Sequence, residues 1–258
     1  MNRVAVLGTQ LEVQHIRAPD TGRPRAPLVF LHEGLGSVAM WRDWPQTVCQ
    51  ATGRAGWVYS RRGYGHSDAV ADVRHSGRLL PDYLHREAWE VLPALLNELA
   101  APAPVLLGHS DGASIALLYA SRLPVSACIA MAPHVMVEDV SIRAIEAARQ
   151  TYLDGALRER LGRYHADVDC AFWQWNDIWL SPGFRSFDIR DDCARITAPV
   201  LAIQGLDDPY GTLAQIKQIN LPPHQITRVE LPACGHSPHR DAPQETLQHI
   251  TTFLSRIA

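Results

Sequence analysis

The feature that most constrains this chain is a pentapeptide in its setting, Gly108-His109-Ser110-Asp111-Gly112. The apolar run Pro104-Val105-Leu106-Leu107 precedes it, and the small-residue helical pattern Ala113-Ser114-Ile115-Ala116-Leu117-Leu118 follows. The order is strand, sharp turn, helix, with a serine at the bend. Such a turn is strained and pushes the serine hydroxyl out of the sheet. The two glycines remove side chains where strand and helix come close. The pentapeptide alone also fits a glycine-rich turn with an idle serine, so its weight comes from the strand before it and the helix after it.

The rest of the chain reads as strands alternating with helices. Residues 4–7 and 11–16, joined at Gly8-Thr9-Gln10, have the pattern of an antiparallel hairpin. A Pro/Gly/Arg loop over 21–27 leads to Leu28-Val29-Phe30-Leu31, a continuous apolar run typical of a strand buried on both faces. A helix is expected over 38–51, a strand over 57–60, and then a turn-rich segment from Arg61 to Asp68. A long amphipathic helix follows over 82–100, with Pro93 placed to bend it. Further strands are expected over 125–131, 199–204 and 226–231, and a closing helix over 243–256. This alternation predicts a mostly parallel sheet covered on both faces. The stretch 134–190 breaks it, with helical patterns over 138–153, 156–165 and 170–179 and no convincing strand. The expected organisation is therefore a core of 1–133 and 191–258, with 134–190 as a helical cap.

Composition narrows the classes of function. The net charge is −3 and no long Lys/Arg run occurs, so there is no electrostatic footprint for nucleic acid or anionic lipid. The apolar start is too short for a signal peptide, and no apolar stretch approaches the roughly 18 residues of a membrane span. The five cysteines, Cys49, Cys128, Cys170, Cys193 and Cys234, include no C-x-x-C pair and read as reduced thiols of a cytoplasmic protein. Cys234 is taken as structural. A small-molecule substrate is expected, with no nucleic acid, membrane, metal or cofactor partner, and a homodimer is left open.

A serine hydroxyl is a poor nucleophile at neutral pH; it needs a base, and the base needs an orienting acid. In open α/β sheets, groups at the carboxyl ends of different strands converge at one edge. After the strand at 199–204 comes Gly205-Leu206-Asp207-Asp208, and after that at 226–231 comes Pro232-Ala233-Cys234-Gly235-His236. Ser110 would attack a carbonyl, His236 would carry its proton to the leaving group, and Asp207 or Asp208 would fix the imidazole tautomer. The aspartates also suit a plain turn, and His236 is one of 12 histidines. A metal on His236, His239 and Asp241 is disfavoured, because Pro238 opposes a regular helix aiming both rings at one ion. The tetrahedral intermediate needs two donors. The backbone N–H of Asp111 is one, and Gly34 in the loop His32-Glu33-Gly34-Leu35-Gly36 is the choice for the other.

Together these residues resemble the α/β-hydrolase superfamily across nearly the whole chain: the loop at 28–36, Arg62-Gly63-Tyr64-Gly65-His66-Ser67, the elbow at 108–112, Gly205 to Asp208, and Gly235-His236. The resemblance implies an α/β-hydrolase fold, a mostly parallel sheet flanked by helices with a helical cap inserted after the sixth strand. It also implies that the acid is Asp208, three residues after the glycine. The form Ser110-Asp111-Gly112 is similar to the valacyclovirase and meta-cleavage-product hydrolase branch, which would let Asp111 hold a substrate ammonium. His32-Glu33 departs from the usual His-Gly. That carboxylate would repel the oxyanion, face a loop partner, or attract a cationic substrate.

Trp173 and Trp179 are expected to line an apolar or aromatic acyl pocket, against the plainer reading that the cap tryptophans only pack. Residues 172, 175 and 179 share a helical face and 173 does not. The expected activity is hydrolysis of small carboxylic esters or lactones through an acyl-enzyme. Alternatives are hydrolysis of a carbon–carbon bond in a vinylogous diketone, and a non-hydrolytic receptor or cofactor-free oxygenase on the same fold.

Overall fold

The computed structural model describes residues 2–18 and 25–257; most of the loop expected over 21–27 lies outside them. The expected hairpin is β1 (Asn2–Val6) and β2 (Thr9–Ile16), paired antiparallel. β3 (Leu28–Leu31) follows, all four residues buried. The helix expected over 38–51 is divided into a short 3-10 turn, Ala39–Trp41, and α1 (Trp44–Thr52). Pro45 in the first turn of α1 explains the division, because its ring would strike the carbonyl of residue 41 in a continuous helix. Arg42 takes up the break, with φ 53° and ψ −131°.

After β4 (Gly56–Tyr59), the helix expected over 82–100 runs as α2 (Tyr83–Arg86), a π-turn over Glu87–Val91, and α3 (Leu92–Glu98). The wider turn lies directly ahead of Pro93, where an α-helical register would meet the missing N–H and the ring. β5 (Val105–His109), α4 (Asp111–Ala120) and β6 (Ala127–Met131) come next. Between β6 and β7 (Val200–Gly205) lie α5 (Asp139–Leu153), α6 (Ala156–Leu161), α7 (Val168–Trp179), a 3-10 turn at Pro182–Ser186 and α8 (Arg190–Cys193). α9 (Ala214–Lys217), β8 (Ile226–Leu231), α10 (Pro238–Asp241) and α11 (Pro243–Leu254) complete the chain.

The eight strands form one sheet in the order β1-β2-β4-β3-β5-β6-β7-β8. The six strands from β4 to β8 in that order are parallel, and β2 joins β4 antiparallel. The central strands are apolar on both sides because both sides are covered. Alternate residues sort into two layers: Leu28 and Phe30 pack with α1 and α11, while Val29 and Leu31 pack with α3, α4 and the helices inserted after β6. The chain passes from β3 to β4 on one side and then crosses back to β5 on the other. The crevice of an α/β sheet opens at such a reversal, here between the ends of β3 and β5. All five cysteines are buried and unpaired. Among the described residues no helix is long and apolar enough to cross a membrane.

Candidate active site

β5 ends at His109 and α4 begins at Asp111, so Ser110 alone makes the bend, with φ 54° and ψ −121°. A non-glycine residue there is strained and stays only where its surroundings insist. They insist because α4 starts hard against β3: a Cβ on Gly112 would stand 2.1 Å from the Leu31 carbonyl oxygen. The strained turn lifts the Ser110 hydroxyl off the sheet edge, where His236 Nε2 lies 2.9 Å from it.

β7 and β8 deliver the other two groups. The loop after β8 crosses closely over the end of β7, where a Cβ on Gly205 would meet the Cys234 carbonyl oxygen at 2.2 Å. That crossing returns His236 to the sheet edge. Its Nδ1 lies 2.9 and 2.8 Å from the two Asp208 oxygens. A carboxylate only accepts, so Nδ1 carries the proton and Nε2 is left to accept from Ser110. Asp208 also accepts from Gln204 Nε2 at 2.6 Å and from the Tyr210 N–H at 2.7 Å. Burial pushes the Asp208 carboxyl up, but the hydrogen bonds and charge of His236 outweigh it, so the carboxyl sits below its ordinary range. Asp207, the other aspartate of the turn, is exposed.

The loop after β3 stands beside the bend because Leu31 pairs with Gly108. A turn closes from the Gly36 N–H to the Glu33 carbonyl at 3.0 Å, and Gly34 is its second residue, whose N–H such a turn leaves free. His32 braces the loop: Nδ1 donates to the Glu33 carbonyl at 2.7 Å, and Nε2 accepts from the Arg61 N–H at 3.0 Å. Among the described residues neither the Gly34 N–H nor the Asp111 N–H has a hydrogen-bond acceptor. The Glu33 carboxylate faces loop partners, Arg240 at 3.3 Å and His109 Nδ1 at 3.5 Å. Burial raises its pKa, yet His109, Arg240 and His239 together hold it well below the usual value. His109 in turn donates from Nε2 to the His236 carbonyl at 2.6 Å, steadying the main chain of His236.

Three expectations need correction. Asp111 does not present a carboxylate to a substrate ammonium. It is 1% exposed, accepting from Tyr83 Oη at 2.8 Å and Trp179 Nε1 at 3.2 Å, with Arg61 at 3.7 Å. Burial pushes its carboxyl up against the pull of those three groups. Trp179, 1% exposed, accordingly ties α7 to the elbow in place of the open acyl-pocket wall expected of it. Trp173 lies on the outer side of α7, with the Arg74 guanidinium 3.8 Å from its ring centre and Phe172 and Tyr152 edge-on. The tryptophan over the site is Trp175, whose indole occupies the space where a side chain on residue 34 would stand. The helical-face pattern of 172, 175 and 179 held the signal for this.

Three more groups were not singled out from sequence. His165 bridges the Gly65 N–H at 2.9 Å and the Leu35 carbonyl at 3.0 Å, pinning the inserted helices to both neighbouring loops. The Tyr210 ring packs 4.8 Å from the His236 ring. Arg61 is buried beneath the elbow. None of the three has a local pattern that marks it. Among the described residues no group of three or more His, Cys, Asp and Glu side chains is placed to hold a metal, and His239 packs on Trp41 and His109.

Known proteins resemble this chain over most or all of its length. The enol-lactonase of Burkholderia xenovorans LB400 superposes with a TM-score of 0.71 at 15% identity, over 98% of this chain and 100% of that one. A thermophilic esterase from Thermogutta terrifontis gives 0.73 at 18% identity, over 99% of both chains. These likenesses show the fold. In sequence, the sn-1-specific diacylglycerol lipase ABHD11 of Mus musculus is 25% identical over 267 residues, 88% of this chain and 80% of that protein. Residues 28–249 match the model of the alpha/beta hydrolase family, a span that runs from β3 through the elbow to α11, and the chain belongs to that family.

Proposed function

We propose that this protein is a serine hydrolase that cleaves small carboxylic esters or lactones through an acyl-enzyme. The observation that carries the reading is the unbroken hydrogen-bond line from Ser110 Oγ through His236 to Asp208, at 2.9 and 2.8 Å. His236 takes the Ser110 proton as Oγ attacks the substrate carbonyl, and Asp208 stabilises the imidazolium that forms. The tetrahedral oxyanion is received by the N–H groups of Gly34 and Asp111, the latter at the start of α4, where the helix dipole favours negative charge. Collapse expels the alcohol, protonated by His236, and water activated by the same imidazole releases the acid.

Residues 134–190 act as the cap over a core of 1–133 and 191–258. The elbow sequence Ser110-Asp111-Gly112 supports a place near the valacyclovirase and meta-cleavage-product hydrolase branch. The buried free thiols fit a cytoplasmic protein. The reading agrees with the ester, lactone and lipid-ester chemistry named for the relatives.

A fluorophosphonate probe followed by peptide mass spectrometry tests it. The label is expected on Ser110, and Ser110→Ala is expected to lower turnover of 4-nitrophenyl butyrate by roughly 10^4-fold or more while the circular dichroism stays unchanged. A label on another serine, or full activity in the alanine variant, overturns the assignment.

A further inference from the structure

Beside the triad lies a cavity of ≈ 690 Å³ between α5, α6, the loop after β3 and the loop after β7. Two of its walls belong to the site already described: Leu35 follows Gly34, and Tyr210 packs on His236. The inserted helices give it an apolar side, formed by Ala144, Ala148, Leu157 and Leu161. Its remaining character is positive. Arg42, Arg160 and Arg240 all line it, and no carboxylate does.

The three arginines are not equivalent. Arg240 donates to Glu33 and to the Met40 carbonyl, so its charge is already matched. Arg158 and Arg163, in the same stretch as Arg160, find Asp169 at 2.7 Å and Glu159 at 3.5 Å. Arg160 itself has no carboxylate within ion-pair distance among the described residues, nor has Arg42. Burial and Asp208 push the Tyr210 phenol up while Arg160 draws it down, so the guanidinium charge is felt at the ring that touches His236. Arg42 stands at φ 53°, a backbone conformation that glycine would adopt more cheaply. Among the described residues, Arg42, held at the break ahead of Pro45, and Arg160 are thus exposed, unpaired charges on the wall of a cavity that also holds Tyr210, the ring packed on His236.

We propose that this cavity receives the acid end of the substrate: an ester whose acyl chain carries an ionised carboxylate at the far end of an apolar segment, read by Arg42 and Arg160. The proposal rests on the serine-hydrolase reading. The apolar wall accommodates the methylene chain, and the two guanidinium groups replace the water that would otherwise solvate the carboxylate. Hydrolysis then converts the ester and one water into a dicarboxylate, the alcohol and a proton, which leaves His236 for solvent.

The test compares mono-4-nitrophenyl adipate with 4-nitrophenyl hexanoate, which differ at the remote end of a six-carbon acyl group. The ratio of their kcat/KM values is expected to favour the adipate and to fall about tenfold in Arg42→Gln and in Arg160→Gln, chiefly through KM. Arg160→Lys should keep part of the preference, and Arg195→Gln, on a surface ion pair elsewhere, should leave the ratio as it was. Calorimetric binding of adipate to Ser110→Ala gives a readout that needs no turnover and should weaken in the same two arginine variants. Ser110-dependent cleavage of hexanoate with no adipate preference, or a ratio insensitive to both arginines, overturns the cavity assignment and leaves the hydrolase reading standing. Adipate binding that depends on Arg42 and Arg160 in a protein that cleaves neither ester upholds the cavity and overturns the hydrolase.

Discussion

Replacing Asp111 with asparagine keeps the shape of the side chain and removes its charge. The consequence follows from its neighbours. Tyr83 and the Trp179 indole both donate to the carboxylate, and Arg61 lies 3.7 Å away with 4% of its side chain exposed. Asparagine has one accepting oxygen, so its NH2 must face one of the donors. The Tyr83 hydroxyl can turn, but the indole N–H cannot. A lost hydrogen bond to a charged acceptor costs about 1.5–3 kcal/mol. A buried cation deprived of its partner costs about 3–5 kcal/mol. Both losses fall on one carboxylate, so they do not add, and the expected destabilisation of Asp111→Asn is about 3–5 kcal/mol at pH 7. For a chain of this length that is a drop in Tm of about 10 °C.

Urea and thermal unfolding followed by circular dichroism measure it. Because burial raises the Asp111 pKa, the folded chain holds this proton more tightly than the unfolded one, so wild-type stability gains as pH falls through that value and the deficit of the asparagine variant, which has no such group, should widen. Adding Arg61→Met should restore part of the loss. A destabilisation below about 1 kcal/mol at pH 7 would refute the view that this carboxylate anchors α7 to the elbow.

Two further outcomes follow from buried groups near the site. Burial, with His236 nearby, lowers the His134 pKa from 6.5 to about 3, although Asp208 pulls the other way. The unfolded chain therefore binds a proton below pH 6.5 that the folded chain refuses. The stability tied to neutral His134 is complete above about pH 6.5 and is lost as pH falls toward 3, so His134→Gln should reduce the slope of unfolding free energy between pH 6 and 4 by about 1.4 kcal/mol per pH unit. An unchanged slope would show that this ring is solvated. Gly112→Ala would set a methyl 2.1 Å from a main-chain oxygen that has nowhere to move, so a loss of at least ~3 kcal/mol or insoluble expression is expected. A soluble variant of wild-type Tm would mean that β3 and α4 are not as close as described.

Much of this architecture was legible because its signals are local. The strand at Ile226–Leu231 has the bounds expected of it, and β3, β5, β6 and β7 read as apolar runs because both faces of the sheet are covered. The positions of Ser110, Asp208 and His236 could be read from the turns that end three strands, since a parallel sheet gathers those ends at one edge. What could not be read depended on how distant surfaces meet. The helical face of α7 was apparent, but which tryptophan lies over Gly34 depends on how the inserted helices sit on the core, so Trp175 was missed and Trp173 misplaced. The role of Asp111 was misjudged for the same reason. Its neighbours Tyr83, Arg61 and Trp179 are 28, 50 and 68 residues away from it in sequence. The break at Arg42 was within reach, since Pro45 signals it.

The bend at residue 110 has a consequence for altering the reagent. It is enforced by main-chain crowding around Gly108 and Gly112 and owes nothing to the hydroxyl. A thiol or a carboxyl group installed at that one position would be delivered to the same imidazole by the same mount. The tool can be exchanged while its holder stays fixed, and the freedom to evolve new reactivity centres on a single codon, two places from each of the glycines that leave no room for a side chain.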